Sequence, residues 1–427
     1  MTGTDDPNER ADLSGRQIAA AQTSAFSPFR YPVFRAIWIA NLFSNLGSTI
    51  QSVAAAWLMT GLTDSNQLVG LVQASVTVPI MLFGVFAGAI ADNFDRRRVM
   101  FAAQVGMLVT SAVLSIMTWA GLITPFVLLA FTFTVGIGTA LNAPAWQASV
   151  RQQVDPREIP QAITLNSISF NIARSVGPAL GGILISLWDV SLAFAINAAS
   201  YLALIFVLIW WKPEVRKIAR RPILPAIAIG LRFCAGSVPI RHILLRGLAL
   251  GTGIAAYQAL LPAVIRDRLH GNELDFGILL GVFGVGSIVT APFVTKLGRR
   301  LKLEGILALG ALLFIVVMTV LAEAHSVHAA IPAVFLGGMA WVAMLTSLNI
   351  AMQVRAPDEI LGRCLSIYQA VTFGGMAIGS WAWGAIADLK DLPFALHSAS
   401  AFLIVTFLAL QWLAPLPKRG EGVVGDW

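Results

Sequence analysis

The chain has 427 residues, of which 57% are hydrophobic and only 12% are charged. Soluble domains carry about 25% charged residues, so the composition excludes an ordinary soluble domain and predicts an integral membrane protein. The net charge of +7 does not predict a nucleic-acid partner, because the basic residues lie in loops between apolar segments and form no cluster on a soluble surface.

The first 33 residues are polar and contain no short apolar segment followed by a cleavage site, so residues 1–33 are expected to form a cytoplasmic tail without a signal peptide. Twelve apolar segments follow, each long enough for a helix that crosses about 30 Å of hydrocarbon. They are Phe34–Thr60, Leu68–Ala91, Val99–Ala120, Thr124–Val150, Gln161–Trp188, Ser191–Trp211, His242–Ile265, Phe276–Leu297, Leu303–Ala322, His328–Val354, Gly362–Ala387 and Leu392–Ala414. This pattern predicts an all-α membrane protein with twelve transmembrane helices, since a barrel would show short alternating segments.

The loop charges predict the orientation of these helices. If both termini lie in the cytoplasm, only Arg266, Arg268 and Lys390 of the 29 lysines and arginines face outward, and Arg174 lies inside a helix. This asymmetry agrees with the positive-inside rule. A multi-pass protein with both termini cytoplasmic is therefore expected.

A basic linker over residues 212–241, interrupted by four prolines, divides the helices into two sets of six. The predicted units are a half at 34–211, a half at 242–414 and a cytoplasmic tail at 415–427. The halves also share details, because the Gly177/Gly181 pair recurs as Gly375/Gly379. Parallel six-helix repeats build transporters whose substrate site lies between the halves near the bilayer midplane.

The loop between predicted helices two and three carries a specific signature. Gly88, Asp92, Arg96 and Arg97 lie at the spacing Gly-x-x-x-Asp-x-x-x-Arg-Arg. This resembles the corresponding loop of the major facilitator superfamily, with Asp95 where that family commonly has glycine. The resemblance implies a conformational lock, in which the aspartate and the first arginine pair beneath the helices, near the start of helix eleven.

Arg174 is the most informative single residue, since it lies about 20 Å into predicted helix five. An arginine at this depth costs about 2.5–3.5 kcal/mol or more, which favours a functional role facing the interior. Ser167, Asn171 and Pro178 share its helix face by their spacing. The alternative is a structural arginine that pairs with backbone carbonyls or asparagine side chains.

Further polar and aromatic residues are candidates for the substrate path, since helices one, four, seven and ten line the path in this superfamily, with five and eleven beside them. They are Asn41, Asn45, Asn142, Trp146, Asn171, Tyr257, Gln258, Asn349 and Tyr368. Such groups suit an amphipathic, partly aromatic solute. For each amide the alternative is an ordinary hydrogen bond between helices.

Gly177, Pro178, Gly181 and Gly182 form a GPxxGG sequence in predicted helix five. It resembles the motif of exporters in the superfamily, and the alternative is simple close packing. The wider resemblance, around Asn142 to Trp146 and Asn171 to Arg174, is to the enterobactin-exporter and drug-efflux branch. It implies efflux of a siderophore or amphipathic drug from the bacterial cytoplasmic (inner) membrane, by proton antiport and alternating access.

The coupling group is not identified, because no carboxylate lies deep in a predicted helix; Glu323 and Asp388 fall near outer ends and Asp92 at the inner surface. No metal or cofactor is expected from two cysteines, and no Walker-type phosphate loop is present. A functional monomer is expected. The alternatives are a facilitator-type importer and a non-transporting receptor; an enzyme is not expected, since no cluster of catalytic side chains is evident.

Overall fold

The computed structural model describes residues 24–212, 223–290, 293–357 and 360–415. Twelve long helices are numbered here in chain order. They are α1 Pro32–Leu62, α2 Asn66–Asn93, α3 Arg96–Trp119, α4 Pro125–Ser149, α5 Ile159–Leu187, α6 Val190–Trp210, α7 Val238–Asp267, α8 Glu273–Thr290, α9 Val294–Glu323, α10 Val327–Arg355, α11 Leu361–Leu389 and α12 Leu392–Leu413. A shorter linker helix spans Ile223–Gly236, and no strand occurs within the described ranges.

Eleven of the described helices are long and apolar enough to cross a membrane. Helix α1 is not among them, although its 31 residues give a length of about 45 Å. Polar residues such as Asn41, Asn45 and Gln51 lower the hydropathy of α1 without shortening it. The all-α fold predicted from the apolar segments is confirmed, and the count of twelve helices agrees with it.

The first six helices pack into one half of the protein. In this half α1 packs against α5 and α6, α3 against α4 and α6, and α2 against α4. A buried polar network joins α1 to α6, where the Asn197 amide donates to the Gln51 Oε1 atom at 2.6 Å and to the Tyr201 hydroxyl at 3.0 Å. Such hydrogen bonds fix neighbouring helices where lipid supplies no hydrophobic drive for association.

The last six helices repeat this arrangement. Helix α7 packs against α11, α8 and α9 against α10, and α9 against α12. Tyr257 of α7 is fully enclosed there, stacked on Phe283 with ring centroids 5.1 Å apart and edge-on to Phe314 at 6.2 Å. The two halves meet chiefly along α2 with α11 and α5 with α8. The predicted two-half architecture is confirmed.

The junctions differ from the sequence prediction around the linker and α9. The region assigned to the linker contains the helix Ile223–Gly236, and α7 begins at Val238 instead of His242. Helix α8 ends at Thr290 rather than Leu297. The span of α9 starts at Val294, but the non-helical residue Lys302 (φ 56°) divides it, and the part after Lys302 begins at Leu303, where the sequence predicts helix nine. The short basic stretch before Lys302 is the part that apolar runs do not predict.

Arg246 is a buried cation near the start of α7, only 2% exposed. Its guanidinium pairs with the Glu304 carboxylate of α9 at 3.1 Å and donates to the Leu410 carbonyl of α12 at 3.1 Å. The charge is therefore compensated, and it ties three helices of the second half together.

The packing of α8 on α10 predicts an asymmetric response to two glycine-to-alanine changes. A β-carbon at Gly338 of α10 would overlap the Phe283 carbonyl oxygen of α8, whereas one at Gly106 of α3 meets nothing within 4 Å. Overpacking costs about 1–3 kcal/mol, and alanine otherwise favours a helix by about 1 kcal/mol. Gly338→Ala is expected to lower the thermal midpoint of the detergent-purified protein, and Gly106→Ala to keep or raise it. Equal midpoints would contradict this packing.

Candidate functional site

The ends of the bundle are named here by the chain termini. The terminal side is where α1 begins and α12 ends, and the opposite side is the other end.

From the middle of the bundle towards the opposite side, α5 and α8 are in backbone contact. A β-carbon built on Gly277 would lie 2.6 Å from the Pro178 carbonyl oxygen, and one on Gly182 would lie 2.7 Å from the Glu273 carbonyl oxygen. Small residues thus form the α5–α8 interface.

The GPxxGG sequence serves two interfaces at once. Gly177 and Gly181 face α1, where β-carbons would overlap the Thr49 side chain and lie 3.3 Å from the Ile50 Cα atom. Pro178 and Gly182 face α8 in the other half. The sequence therefore holds α5 against its own half and gives the other half a smooth surface.

Helix α11 repeats this pattern in the second half. Gly375 and Gly379 face α7, and a β-carbon on Gly375 would lie 2.5 Å from the Leu248 carbonyl oxygen. Gly384 faces the first half, where its β-carbon would lie 2.7 Å from the Gln67 Cα atom of α2. The α2–α11 interface is thus also a backbone contact, and it extends to the opposite side.

A carboxylate closes the α2–α11 interface at the opposite side. Asp388, near the end of α11, accepts hydrogen bonds from the Ser65 hydroxyl at 2.6 Å and from the backbone N–H groups of Asn66 at 2.5 Å and Gln67 at 3.1 Å. Those groups form the N-terminus of α2, where the helix dipole favours a negative charge. We call this contact the Asp388 latch.

A second hydrogen bond joins the halves on the same side. The Arg266 guanidinium at the end of α7 donates to the Thr60 carbonyl oxygen of α1 and also pairs with the Asp267 carboxylate at 2.5 Å. Asp64 lies close enough to Arg266 to interact with it electrostatically. The opposite side is therefore closed by charged groups as well as by close packing.

Arg174 lies near the middle of α5, about 20 Å from either end of that helix. Its guanidinium carbon lies 5.7 Å from the ring centroid of Trp341 on α10, and the Tyr257 phenol of α7 is within electrostatic range. Within the described ranges Arg174 has no hydrogen bond and no carboxylate partner. A residue of the first half thus lies over the Trp341 ring of the second half and within electrostatic range of Tyr257 at mid-depth.

The other predicted path residues are less concentrated. The Asn45 Nδ2 and Asn142 Oδ1 atoms are buried without a hydrogen-bond partner. Asn171 donates to the Ser167 carbonyl of its own helix at 2.9 Å, and Asn349 accepts from the Gln353 amide at 2.5 Å.

Four of the path residues lie partly or wholly within helix packing. Asn41 is buried in α1, and Gln258 is partly buried next to Tyr257. Trp146 packs against the core of the first half, and the Tyr368 ring lies 3.3 Å from a β-carbon built on Gly247, between α7 and α11. Tyr257 is thus the predicted path residue that the structure brings within reach of Arg174.

The arginines of the predicted conformational lock bind helix ends. Arg96 donates to the Ala148 carbonyl at the end of α4 at 2.9 Å, and Arg97 donates to the Leu208 carbonyl near the end of α6 at 2.5 Å. Cations at helix C-termini are favoured by the helix dipole. Gly88 faces Ser366 of α11, whose hydroxyl lies 3.9 Å from the β-carbon position. The Asp92 side chain lies outside the described residues, so its pairing with Arg96 stays a prediction.

Residues 23–422 match the family described as "Transmembrane secretion effector", a division of the major facilitator transporters. The chain belongs to this family. Among curated relatives, the staphyloferrin A transporter of Staphylococcus aureus is 24% identical over 347 residues, covering 81% of this chain and 87% of the relative. The enterobactin exporter of Escherichia coli is 25% identical over 409 residues, covering 91% and 93%.

Solved structures share the fold of this major facilitator transporter. A peptide transporter of the POT type superposes with a TM-score of 0.74 at 14% identity, covering 94% of this chain and 98% of the other. The nucleoside transporter NupG gives 0.72 at 11% identity, covering 91% and 100%. By its family, the chain is a multi-pass membrane transporter of small molecules and not an enzyme.

Two residues of this transporter's site were missed or undervalued in the sequence. The sequence indicates no role for Trp341 beyond its position two helical turns before Asn349 on α10. For Asp388 the sequence indicates only a carboxylate near an outer helix end. Its contact with α2 depends on which helices meet, and the spacing of residues along the chain does not carry that information.

The Asp388 latch predicts that removing this carboxylate loosens the opposite side of the transporter. The Asp388 carboxylate is exposed to solvent, so its hydrogen bonds together contribute about 1–2 kcal/mol. Asp388→Ala is therefore expected to raise the reaction of a Ser380→Cys thiol with an impermeant maleimide about ten-fold. Ser380 is fully buried beside Gly70 in the α2–α11 interface.

Asp391→Ala is the matched control, because the Asp391 carboxylate accepts from the Phe394 N–H within the second half at 2.7 Å. Equal labelling rates in the Asp388→Ala and Asp391→Ala backgrounds would show that the Asp388 latch does not hold the halves together.

Proposed function

We propose that this transporter is a secondary active exporter of an amphipathic small molecule, of the siderophore or drug class. It exchanges the solute for protons across the bacterial cytoplasmic membrane by alternating access. The observation that carries the proposal is the pair of glycine-lined interfaces, α5–α8 and α2–α11, closed at one side of a path that contains Arg174. Interfaces without interlocking side chains suit two halves that rock against each other.

The orientation follows the positive-inside rule, which assigns the terminal side and both chain termini to the cytoplasm. The Asp388 latch then lies outside. Ser167 of α5, which shares the helix face of Arg174, is exposed between Arg174 and the terminal side. A protein in this state is closed to the outside and accepts a solute from the cytoplasm, as the first step of export requires.

Two further observations support export over import. The GPxxGG sequence in α5 is typical of exporters, and one of the relatives is an enterobactin exporter over 91% of this chain. The proton gradient is proposed as the energy source because the resemblance to the enterobactin-exporter and drug-efflux branch implies proton antiport. One chain supplies both walls of the path, so the monomer is the proposed functional unit.

The experiment that tests the function compares cells that lack their own exporters with and without this protein. They are loaded with a fluorescent amphipathic dye or a labelled catecholate siderophore, before and after a protonophore collapses the gradient. We expect lower accumulation in cells that carry the transporter, because export opposes entry. The protonophore should abolish the difference. Raised siderophore accumulation would show import, and an effect that survives the protonophore would overturn proton coupling.

Alternating access predicts that locking the opposite side stops transport. The Ser65 hydroxyl and the Asp388 carboxylate are 2.6 Å apart across the halves, so Ser65→Cys with Asp388→Cys places two thiols within reach of a short bifunctional methanethiosulfonate. With Cys234 and Cys364 replaced by alanine, the cross-link is expected to reduce gradient-driven transport to the level of cells without the protein. A reductant should restore it.

Each single-cysteine variant, treated with the same reagent, is the control for the cross-link. Transport that continues at the uncross-linked rate in the linked double variant would contradict a cycle in which the opposite side must open.

A further inference from the structure

We propose that Arg174, Tyr257 and Trp341 form an anion-selective clamp that binds an organic anion whose carboxylate or phenolate is attached to an aromatic body. This inference rests on the proposed function, since it names the substrate class of the same path. It adds a charge requirement to a site that the sequence marks only as polar and aromatic.

The first observation is that, in the described part of the chain, Arg174 lacks the carboxylate partner that Arg246 and Arg266 have. Arg246 pairs with Glu304 at 3.1 Å, and Arg266 pairs with Asp267 at 2.5 Å. For Arg174, the described residues supply an aromatic face and a phenol but no carboxylate. A cation at this depth costs about 2.5–3.5 kcal/mol or more, so an anionic ligand would gain from neutralising it.

The second observation is an unused donor beside the arginine. Tyr257 is 1% exposed, and its hydroxyl is buried without a hydrogen-bond partner. Phe283 and Phe314 hold its ring in place from two sides. A buried hydroxyl without a partner loses the free energy of its hydrogen bonds to water. A ligand that accepts its hydrogen bond would restore part of that free energy.

The third observation is the position of Trp341. Its indole is 4% exposed and lies 5.7 Å from the Arg174 guanidinium carbon. The Trp341 ring therefore lies beside the Arg174 guanidinium. The N–H groups of that guanidinium remain available to a planar acceptor such as a carboxylate. A carboxylate accepts two parallel hydrogen bonds from a guanidinium, and an aromatic body attached to it would lie beside the indole.

The charges of the clamp also exclude a ligand class. A cationic amphipathic solute would meet the Arg174 charge at mid-depth, where low polarity strengthens repulsion. No acidic side chain of the described residues offsets that charge in the clamp. The preferred solute is therefore an anion and not a lipophilic cation.

The test measures equilibrium binding of two dyes that share one xanthene body to the purified full chain by fluorescence polarisation. Fluorescein carries a carboxylate and a phenolate, whereas a rhodamine ethyl ester has amino groups in place of the xanthene oxygens, a positive charge and no free carboxylate. We expect fluorescein to bind more tightly than the rhodamine and to be displaced by unlabelled salicylate. Arg174→Gln is expected to weaken fluorescein binding about 10- to 100-fold, and Tyr257→Phe about 3- to 10-fold.

Matched controls separate this clamp from general loss of structure. Tyr201→Phe removes another buried phenol, which accepts a hydrogen bond from Asn197 away from the clamp. Arg98→Gln removes an exposed arginine in the first turn of α3. Both are expected to leave fluorescein affinity unchanged, and gel filtration checks that each variant folds.

Three results would overturn the clamp: tighter binding of the rhodamine, equal effects of clamp and control variants, or no fluorescein binding up to its solubility limit. Because the assay uses neither a gradient nor a membrane, its failure is separate from failure of the proposed function. Cells that export a cationic dye in a gradient-dependent way would leave export standing while the clamp falls.

Discussion

The structure depends on one constraint of the bilayer. Helices there gain no hydrophobic stabilisation by packing against each other, because the lipid is as apolar as their side chains. Close backbone approach has to supply the attraction instead, and glycines supply the approach. Gly177 and Gly181 fasten α5 to α1, and Gly375 and Gly379 fasten α11 to α7. The remaining faces of α5 and α11 contact helices of the other half. Each half is thus internally tight, while the contacts between the halves are smooth backbone surfaces that can separate without breaking interlocked side chains.

Charges near the helix ends lie where the fold can compensate them. Arg96 and Arg97 bind carbonyl oxygens at the ends of α4 and α6, and Asp388 binds amide groups at the start of α2. Because the Asp388 carboxylate is exposed to solvent, its hydrogen bonds together contribute about 1–2 kcal/mol. A closure of this strength holds the opposite side shut, and it is also within the range that differential ligand affinity can overcome.

The sequence predicts the helices well where apolar blocks have clear ends. The segment Thr124–Val150 corresponds to α4 at Pro125–Ser149, and Gln161–Trp188 to α5 at Ile159–Leu187. The same reasoning predicts the part of α9 that follows Lys302, but not the short basic helix before it. It recognised the glycine motifs but could not say which helix each glycine faces, since Gly181 and Gly182 are neighbours in the chain and contact different halves. Arg174 and Tyr257 were both singled out, while their proximity and the role of Trp341 needed the tertiary packing.

Arg174 combines a charge that is costly in the membrane with a position between two moving halves. Its contact with Trp341 recovers about 0.5–2 kcal/mol, less than the cost of about 2.5–3.5 kcal/mol for placing an arginine at this depth. Arg174 belongs to α5, whereas Trp341 and Tyr257 belong to α10 and α7. A rocking motion that opens the opposite side therefore changes the distances between them, and with them the affinity for any ligand held by all three. A ligand shifts a conformational equilibrium only by as much as its affinity differs between the two states. Placing the donors on different halves creates that difference directly, without a separate signal from the site to the Asp388 latch.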